Sequence, residues 1–459
     1  MLNAIKALLA PQSIRTTETD VNLLDRIIYG YTTNNSLITW YDSNNRTYIE
    51  QGYQGNAMVY SIIKKIADKS ATVPIVTYRE DGKVMKSYKS FKYNSNANIK
   101  AQERIFKKQL NELNPLDDFH KLIKNPNPRQ SSKEFISDLS TWYNTLGEAF
   151  IYGFRPETGK NAGKLVELWV MPANYVAIVS GGAFMPVKGY KLAIGNQSIE
   201  IPASDVLHIK NSNLTWDTAG SQLRGQSPLL AGKNILQKNN ESVAAGLKAM
   251  QNEGAKGIVS PNFPNADQWP TPEARAQIDQ RIQERVDGSA NRNRIVASSI
   301  PLRYDSIGLS PVSLDIINSM NYDDEKLCGL WGVNPVIFKP NATNANLEGA
   351  QKSLVTDVVL PQLQLFEEKI NEFLQMNGWE GRVLDFDTTQ FAELQPDMEL
   401  LFKTYGENKA YTPNELRIMT GFDLSEDPAM DMHWISSSLI SSTEAMSMGG
   451  GDFSDFGNA

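Results

Sequence analysis

The chain has 459 residues, 41% of them hydrophobic and 21% charged, with a formal net charge of −7. That length allows two or three domains and a sizeable core, and the acidic balance excludes a uniformly basic nucleic-acid-binding surface. One cysteine, Cys328, excludes an intrachain disulfide. There is no 18-residue apolar run to span a membrane, and MLNAIKALLAPQS lacks the three-part pattern of a secretion signal.

Residues 1–55 are polar and patternless, as in an extended arm, and order is expected from Asn56 onward. Asn56 can cap a helix whose Val59, Ile62, Ile63, Ile66, Ala67 and Ser70 share one face. VPIVTYREDGK then alternates as a strand ending in an Asp81–Gly82 turn. Lys83, Lys86, Lys89, Lys92, Lys100, Arg104, Lys107 and Lys108, against Glu103 alone, form the clearest basic block. It reads as a solvated surface insertion, with contact to nucleic acid or an acidic partner as the alternative. Ser131 and Glu134 have capping-box spacing before a stripe of Phe135, Leu139, Trp142 and Leu146, and Gly147 permits the exit. EAFIYGFR, KLVELWVMP and VLHIK read as strands, with His208 on the more polar face and no second His or Cys nearby to share a metal. To about residue 215 the pattern is α+β with an antiparallel sheet.

Beyond that point the helices lengthen. Ser227 and Pro228 open a run marked by Leu229, Leu236, Val243, Leu247 and Met250, and Gly254 closes it. Residues 256–306 form a small helix-and-strand unit rich in arginine: Arg275, Arg281, Arg285, Arg292, Arg294 and Arg303. With Asp279, Glu284 and Asp287 mixed in, its mixed-sign surface favours docking to protein, with contact to DNA as the alternative. Ile316, Met320, Leu327 and Trp331 mark the next helix, on which Cys328 reads as a buried thiol and Trp331 as packing at the end. The connection WGVNPVIFKPNATNANLEGAQKSL follows, with prolines, asparagines and no helical period in its first half. A lid, a free linker and a loop facing a channel are its three readings. A long amphipathic run from Leu347 to Leu374 comes next, with a kink or break expected at Pro361. RVLDFDT reads as a strand, Thr412, Pro413 and Glu415 open a last helix, and the tail is Ser/Gly-rich.

The sequence offers little chemistry. His120, His208 and His433 have no metal-ligand spacing, and neither a GxxxxGK[ST] loop nor a GxSxG elbow occurs. Asp385 and Asp387 alternate on a strand and could serve a metal-dependent nuclease, although exposed strand carboxylates are commoner. Two long helices flanking a small unit make more sense in a ring, where neighbours cover one another's apolar stripes.

GNAMVYSIIKKIADKSATVPIVTYREDG, LIKNPNPRQSSKEFISDL, LGEAFIYGF, LVELWVMPANYV, IPASDVLHIK, GQSPLLAGKNIL, KLCGLWGVNPVIF, NLEGAQKSLVTDVVLPQLQLFEEKIN and TPNELRIMTGF, in that order, resemble the HK97-like family of tailed-bacteriophage portal proteins over roughly 56–425. The lysine-rich insertion near 83–115 and the short tail depart from it.

The resemblance implies an α+β portal fold. Its parts are an N-terminal arm (1–55), wing (56–225), stem helix (226–255), α/β clip (256–306), second stem helix (307–332), tunnel loop (333–347), tunnel helix and wing strand (348–394), helical crown (395–440) and flexible tail (441–459). It implies a non-enzymatic ring of about twelve copies at one capsid vertex, through which double-stranded DNA is packaged and ejected without sequence specificity. Large terminase, head–tail adaptor, major capsid protein and scaffolding protein are the implied partners. No membrane, metal or cofactor is implied. The implied location is the virion, after assembly in the host cytoplasm. Val336, Lys339, Asn341, Asn344 and Asn346 would face DNA, with Lys339 either a guide or an ordinary exposed lysine. Arg275, Arg281, Arg285, Arg292 and Arg294 would dock partners, and Leu236, Val243, Leu247, Ile316, Met320 and Leu327 would pack the stem. Another ring-forming head–tail connector and the nuclease are the competing functions.

Overall fold

The computed structural model describes residues 38–39, 46–80, 82–92, 103, 106–159, 161–181, 185–217, 220–251, 258–261, 271, 273, 276, 280, 302–305, 316–394, 411–419, 422–435 and 440–441. The chain forms two compact units, one of Met1–Leu236 with Glu325–Ala459 and the other of Gln237–Asp324. Among the described residues no helix is long and apolar enough to cross a membrane.

In the first unit, β1 (Ile38–Thr39) precedes a π-helical turn, Tyr48–Tyr53, and α1 (Ala57–Ala71). Order therefore starts before Asn56: Tyr48 is buried in the main core. Asn56 caps α1 as its side chain implies, its Oδ1 accepting from the Val59 amide at 2.9 Å. The buried face of α1 is the expected one, from Val59 to Ser70. β2 (Ile75–Arg79) is followed by α2 (Gly82–Lys92), so Gly82 begins a helix. α3 (Asp118–Lys124) leads to α4 (Ser132–Leu146), which has a complete capping box of Ser131 and Glu134.

Gly147 ends α4 at φ 74°, and a Cβ there would lie 1.9 Å from the Gln226 carbonyl oxygen. Only glycine allows both that backbone angle and that crossing of two chain segments. β3 (Glu148–Phe154) follows directly and is central in an antiparallel sheet with β4 (Glu167–Met171) and β8 (Val206–Lys210). A second antiparallel sheet has the order β1, β5 (Val176–Val179), β6 (Gly189–Ile194), β7 (Gln197–Pro202).

A single turn, Pro228–Ala231, capped by Ser227, precedes α5 (Lys233–Gln251). In the second unit β9 (Ile258–Pro261) pairs antiparallel with β10 (Leu302–Asp305). Its parts of α5 and of α6 (Ile316–Leu330) are joined where Lys238 donates to Asp323 at 2.9 Å and Asn239 to Asp324 at 3.1 Å.

Back in the first unit, α7 (Asn344–Ser353), a π-helical stretch Leu354–Val359 and α8 (Leu360–Met376) form a nearly continuous rod. The break expected at Pro361 is accommodated as π-helix: the Leu360 amide reaches back to Val355. Pro361 cannot donate to residue 357, so a wider turn before it relieves the lost bond. β11 (Arg382–Phe386) returns to pair antiparallel with β2, placing Asp385 opposite Val76. α9 (Pro413–Met419) has the expected Thr412–Glu415 box, and β12 (Trp434–Ile435) pairs with β13 (Ile440–Ser441). One core joins α1, α4, β3, β4 and α8 through Ile62, Leu139, Phe150, Leu168 and Phe366. A smaller one, with Tyr78, Met85, Tyr88, Leu110 and Val383, lies between α2 and the β2–β11 pair.

Candidate functional site

The connection between α6 and α7 starts at Trp331, which is buried, and turns at Gly332, whose φ of 69° ends α6 in the left-handed conformation. Val333 folds back into the core with its amide on Cys328. Asn334 then acts as a helix cap. Its Oδ1 accepts from the Val336 amide at 3.0 Å, and Pro335–Phe338 form a 3-10 turn. Thr343 precedes α7, whose next buried residue is Ala350. The connection is thus less slack than its composition implies. Asn344 and Asn346 stand on the first turn of α7 and not in a loop.

Of the residues expected to face DNA, Lys339, Asn341, Asn344 and Asn346 are exposed, and Val336 is half-buried. Lys339 is not an isolated cation: its Nζ donates to Glu325 Oε1 at 2.6 Å. Both side chains are about half exposed, at 53% and 45%, so the pair holds only weakly and adds no net charge. After the half-buried Pro335–Phe338, whose Ile337 and Phe338 pack on the core, a mostly exposed, nearly neutral stretch runs from Lys339 to Gly349.

Rigid supports lie on both sides of it. Trp331 Nε1 donates to the Asn144 carbonyl at 3.0 Å, and Asn144 Nδ2 donates to Gln362 Oε1 at 2.9 Å. Leu354, Val355 and Val359 anchor the π-helical stretch in the core. Cys328 is buried, as its place on the helix face implies.

Of the residues expected to pack the stem, Leu236 and Leu327 are buried and Met320 is half-buried, whereas Val243 and Leu247 are 49% and 54% exposed. Ile316 opens α6, and its side chain is outside the described residues. Arg275, Arg281, Arg285, Arg292 and Arg294, expected to dock partners, also lie outside them.

Three sequence expectations change. Asp385 and Asp387 are buried and paired: Asp385 bonds Lys92 and the Tyr88 hydroxyl, and Asp387 pairs with Lys107 at 2.6 Å. Lys92, read as part of a solvated block, has a fully buried side chain between Glu367 and Asp385. Burial pushes the Asp385 carboxyl up to about 6, against the pull of Lys92 and with that of Glu367. Burial likewise acts to raise Asp387, but Lys107 and the neighbouring hydroxyl and amide bonds leave it below the usual range. Neither carboxylate is free to hold a metal, and no group of three His, Cys, Asp or Glu among the described residues is placed to do so. The nuclease alternative loses its residues.

His208, expected on the polar face, is stacked on Phe150 with ring centroids 4.2 Å apart, and its Nε2 lies 3.1 Å from Glu148 Oε2. Glu148 also accepts from the Gly225 amide at 2.9 Å and pairs with Arg224. Burial works to raise the Glu148 carboxyl, but Arg224, His208 and Gly225 outweigh it and hold it below its usual value. Burial holds the His208 imidazole below its usual range despite Glu148. The cluster ties the segment before α5 to the β3–β8 sheet. Sequence reading passed over Glu148, Arg224, Asn144 and Gln362, although Ser140 and Asn144, one turn apart inside an apolar stripe, are a legible signal of a buried polar pair.

The arrangement is a scaffold that carries a partly exposed connection between two anchored helices. The chain matches the family model described as phage portal protein across residues 57–421 and belongs to that family. This bears out the resemblance to HK97-like portal proteins; the role is that of a phage portal or head–tail connector, and the chain is structural, not an enzyme. A protein of Rickettsia bellii (strain RML369-C), described only as uncharacterized, is 23% identical over 384 residues, 82% of this chain and 89% of that protein. Two solved structures share the fold. A chain in the neck of a native GTA particle computed with C12 symmetry is 18% identical, covers 89% of this chain and 100% of its own, and has a TM-score of 0.63. A chain in the virion of a native gene transfer agent (GTA) particle is 19% identical, with coverages of 87% and 99% and a TM-score of 0.61.

Proposed function

We propose that about twelve copies of this chain close into a ring at one vertex of a capsid, and that double-stranded DNA enters and leaves along the ring axis. The observation that carries this reading is the mostly exposed, nearly neutral stretch from Lys339 to Gly349, flanked on both sides by segments tied to the core of a portal fold. A conduit must hold DNA weakly, because a duplex gripped through many phosphates does not slide. Asparagines and a lysine already paired to Glu325 meet that requirement. The C12 symmetry of the similar neck structure supports the ring. So do Val243 and Leu247, apolar residues that one copy leaves exposed.

In this reading Val336, Lys339, Asn341, Asn344 and Asn346 line the channel. The segment 256–306, with Arg275, Arg281, Arg285, Arg292 and Arg294, docks the large terminase during packaging and the head–tail adaptor afterwards. Major capsid and scaffolding proteins surround the ring, which assembles in the host cytoplasm and ends in the virion.

Lys339→Glu tests the channel assignment, since it reverses a charge and opposes Glu325. Packaging rate or packaged genome length should fall with ring formation intact. No change in either contradicts a DNA-facing Lys339.

A further inference from the structure

We propose that Asn144 is a positioning residue for the channel-facing span, one residue of α4 tying the end of α6 before the span to the start of α8 after it. The proposal rests on the conduit reading above for what the span does, and on hydrogen-bond geometry for how the span is placed.

Asn144 lies in the last turn of α4, where backbone carbonyls have no partner within the helix. Two of these are taken by the segments flanking the stem. The Asn144 carbonyl accepts from Trp331 Nε1 at 3.0 Å, and the Thr145 carbonyl accepts from the Ser227 hydroxyl at 2.7 Å. The Asn144 side chain bonds a different element, α8. Its Nδ2 donates to Gln362 Oε1 at 2.9 Å and lies 2.8 Å from the Ser140 carbonyl, while Gln362 Nε2 donates to Ser140 Oγ at 2.7 Å. Trp331 ends α6, Gln362 opens α8, and the residues between them carry the whole exposed span.

All four members, Ser140, Asn144, Trp331 and Gln362, are buried. Apolar side chains could fill the same space with similar stability, but they do not fix direction. Directional bonds from one residue to both flanking helices set the distance and register between the supports from which the span is carried. That is the structural reason to place an amide pair in this core.

The experiment compares the full-length wild type with Asn144→Leu, Asn144→Leu/Gln362→Leu and Trp331→Phe. Urea midpoints, amide exchange and DNA packaging are measured on each. The reporters are the amides of Ile337, Lys339 and Leu347, which bond the Asn334, Val336 and Thr343 carbonyls. Asn144→Leu leaves Gln362 short of a partner and should lower the midpoint. The double variant removes both amides and should recover it. Exchange at the three reporters should nevertheless stay about tenfold faster in the double variant, the equivalent of one lost hydrogen bond. Trp331→Phe, which keeps the ring but not the donor, should accelerate the same amides, and packaged DNA should shorten in all three variants.

Exchange that returns to the wild-type rate together with the midpoint would make Asn144 a packing residue and overturn the proposal, as would unchanged exchange in Trp331→Phe. Faster exchange with normal packaging would uphold the clamp and contradict the conduit reading, so the two failures are distinguishable.

Discussion

Lys92→Met is the sharpest test of the interior. The Lys92 ammonium is fully buried between Asp385 and Glu367, whose side chains are 0% and 3% exposed. Removing it leaves two buried carboxylates facing each other, with only the half-exposed Lys89, 4.0 Å from Glu367, as a nearby cation. Breaking a buried pair in this way costs about 3–5 kcal/mol, because the remaining charge keeps its desolvation penalty. With a urea slope of roughly 2–3 kcal/mol/M, the unfolding midpoint should fall by about 1–2.5 M at pH 7.5. The loss should shrink at pH 5, where Asp385, already pushed up to about 6, takes a proton and relieves the repulsion. Adding Asp385→Asn and Glu367→Gln should restore most of the midpoint, since the charges then disappear together. A Lys92→Met midpoint at pH 7.5 within about 0.3 M of wild type would refute the reasoning, since a cost below about 1 kcal/mol belongs to an exposed pair.

Stability should also depend on pH through groups of opposite sign. Glu148 and His208 are both lowered, so each stabilises the fold above its unfolded value and loses that contribution as pH falls through its folded one. Asp385 is raised, so its contribution is complete below 3.8 and is lost as pH rises through about 6. Urea titrations from pH 4 to 7.5 should therefore show wild type gaining on Asp385→Asn as pH falls and losing ground to Glu148→Gln. Gly147→Ala should cost at least about 3 kcal/mol, because φ of 74° and the Gln226 carbonyl 1.9 Å from the new Cβ both oppose it. The denaturation midpoint checks this. Val243→Asp with Leu247→Asp should leave the melting temperature of the single chain nearly unchanged, both sites being exposed, but should abolish ring formation in size-exclusion chromatography.

The features legible in the sequence were those coded locally. Asn56, Ser131 with Glu134, Thr412 with Glu415, and Gly147 act on residues within one turn, so spacing alone reveals them. The apolar face of α1 was equally plain. Lys92 and Asp385 meet across 293 residues, and nothing near either one announces a partner. Composition therefore assigned both to the surface. His208 was misplaced for a similar reason: alternation along β8 put it among polar positions, whereas Glu148 on the neighbouring strand supplies the polarity inside. The asparagines of the span are ambiguous by nature, because the residues that tolerate loops also cap helices. Asn334 caps a turn, and Asn344 begins a helix. Trp331 was read correctly as packing at a helix end, but its bond to Asn144 needed the fold.

The central claim is tested most directly by imaging the purified full-length chain by electron microscopy under assembly-permitting conditions. Closed rings of about twelve copies with an axial opening are the expected result. A compact monomer, or a closed particle without an axial hole, would contradict the account.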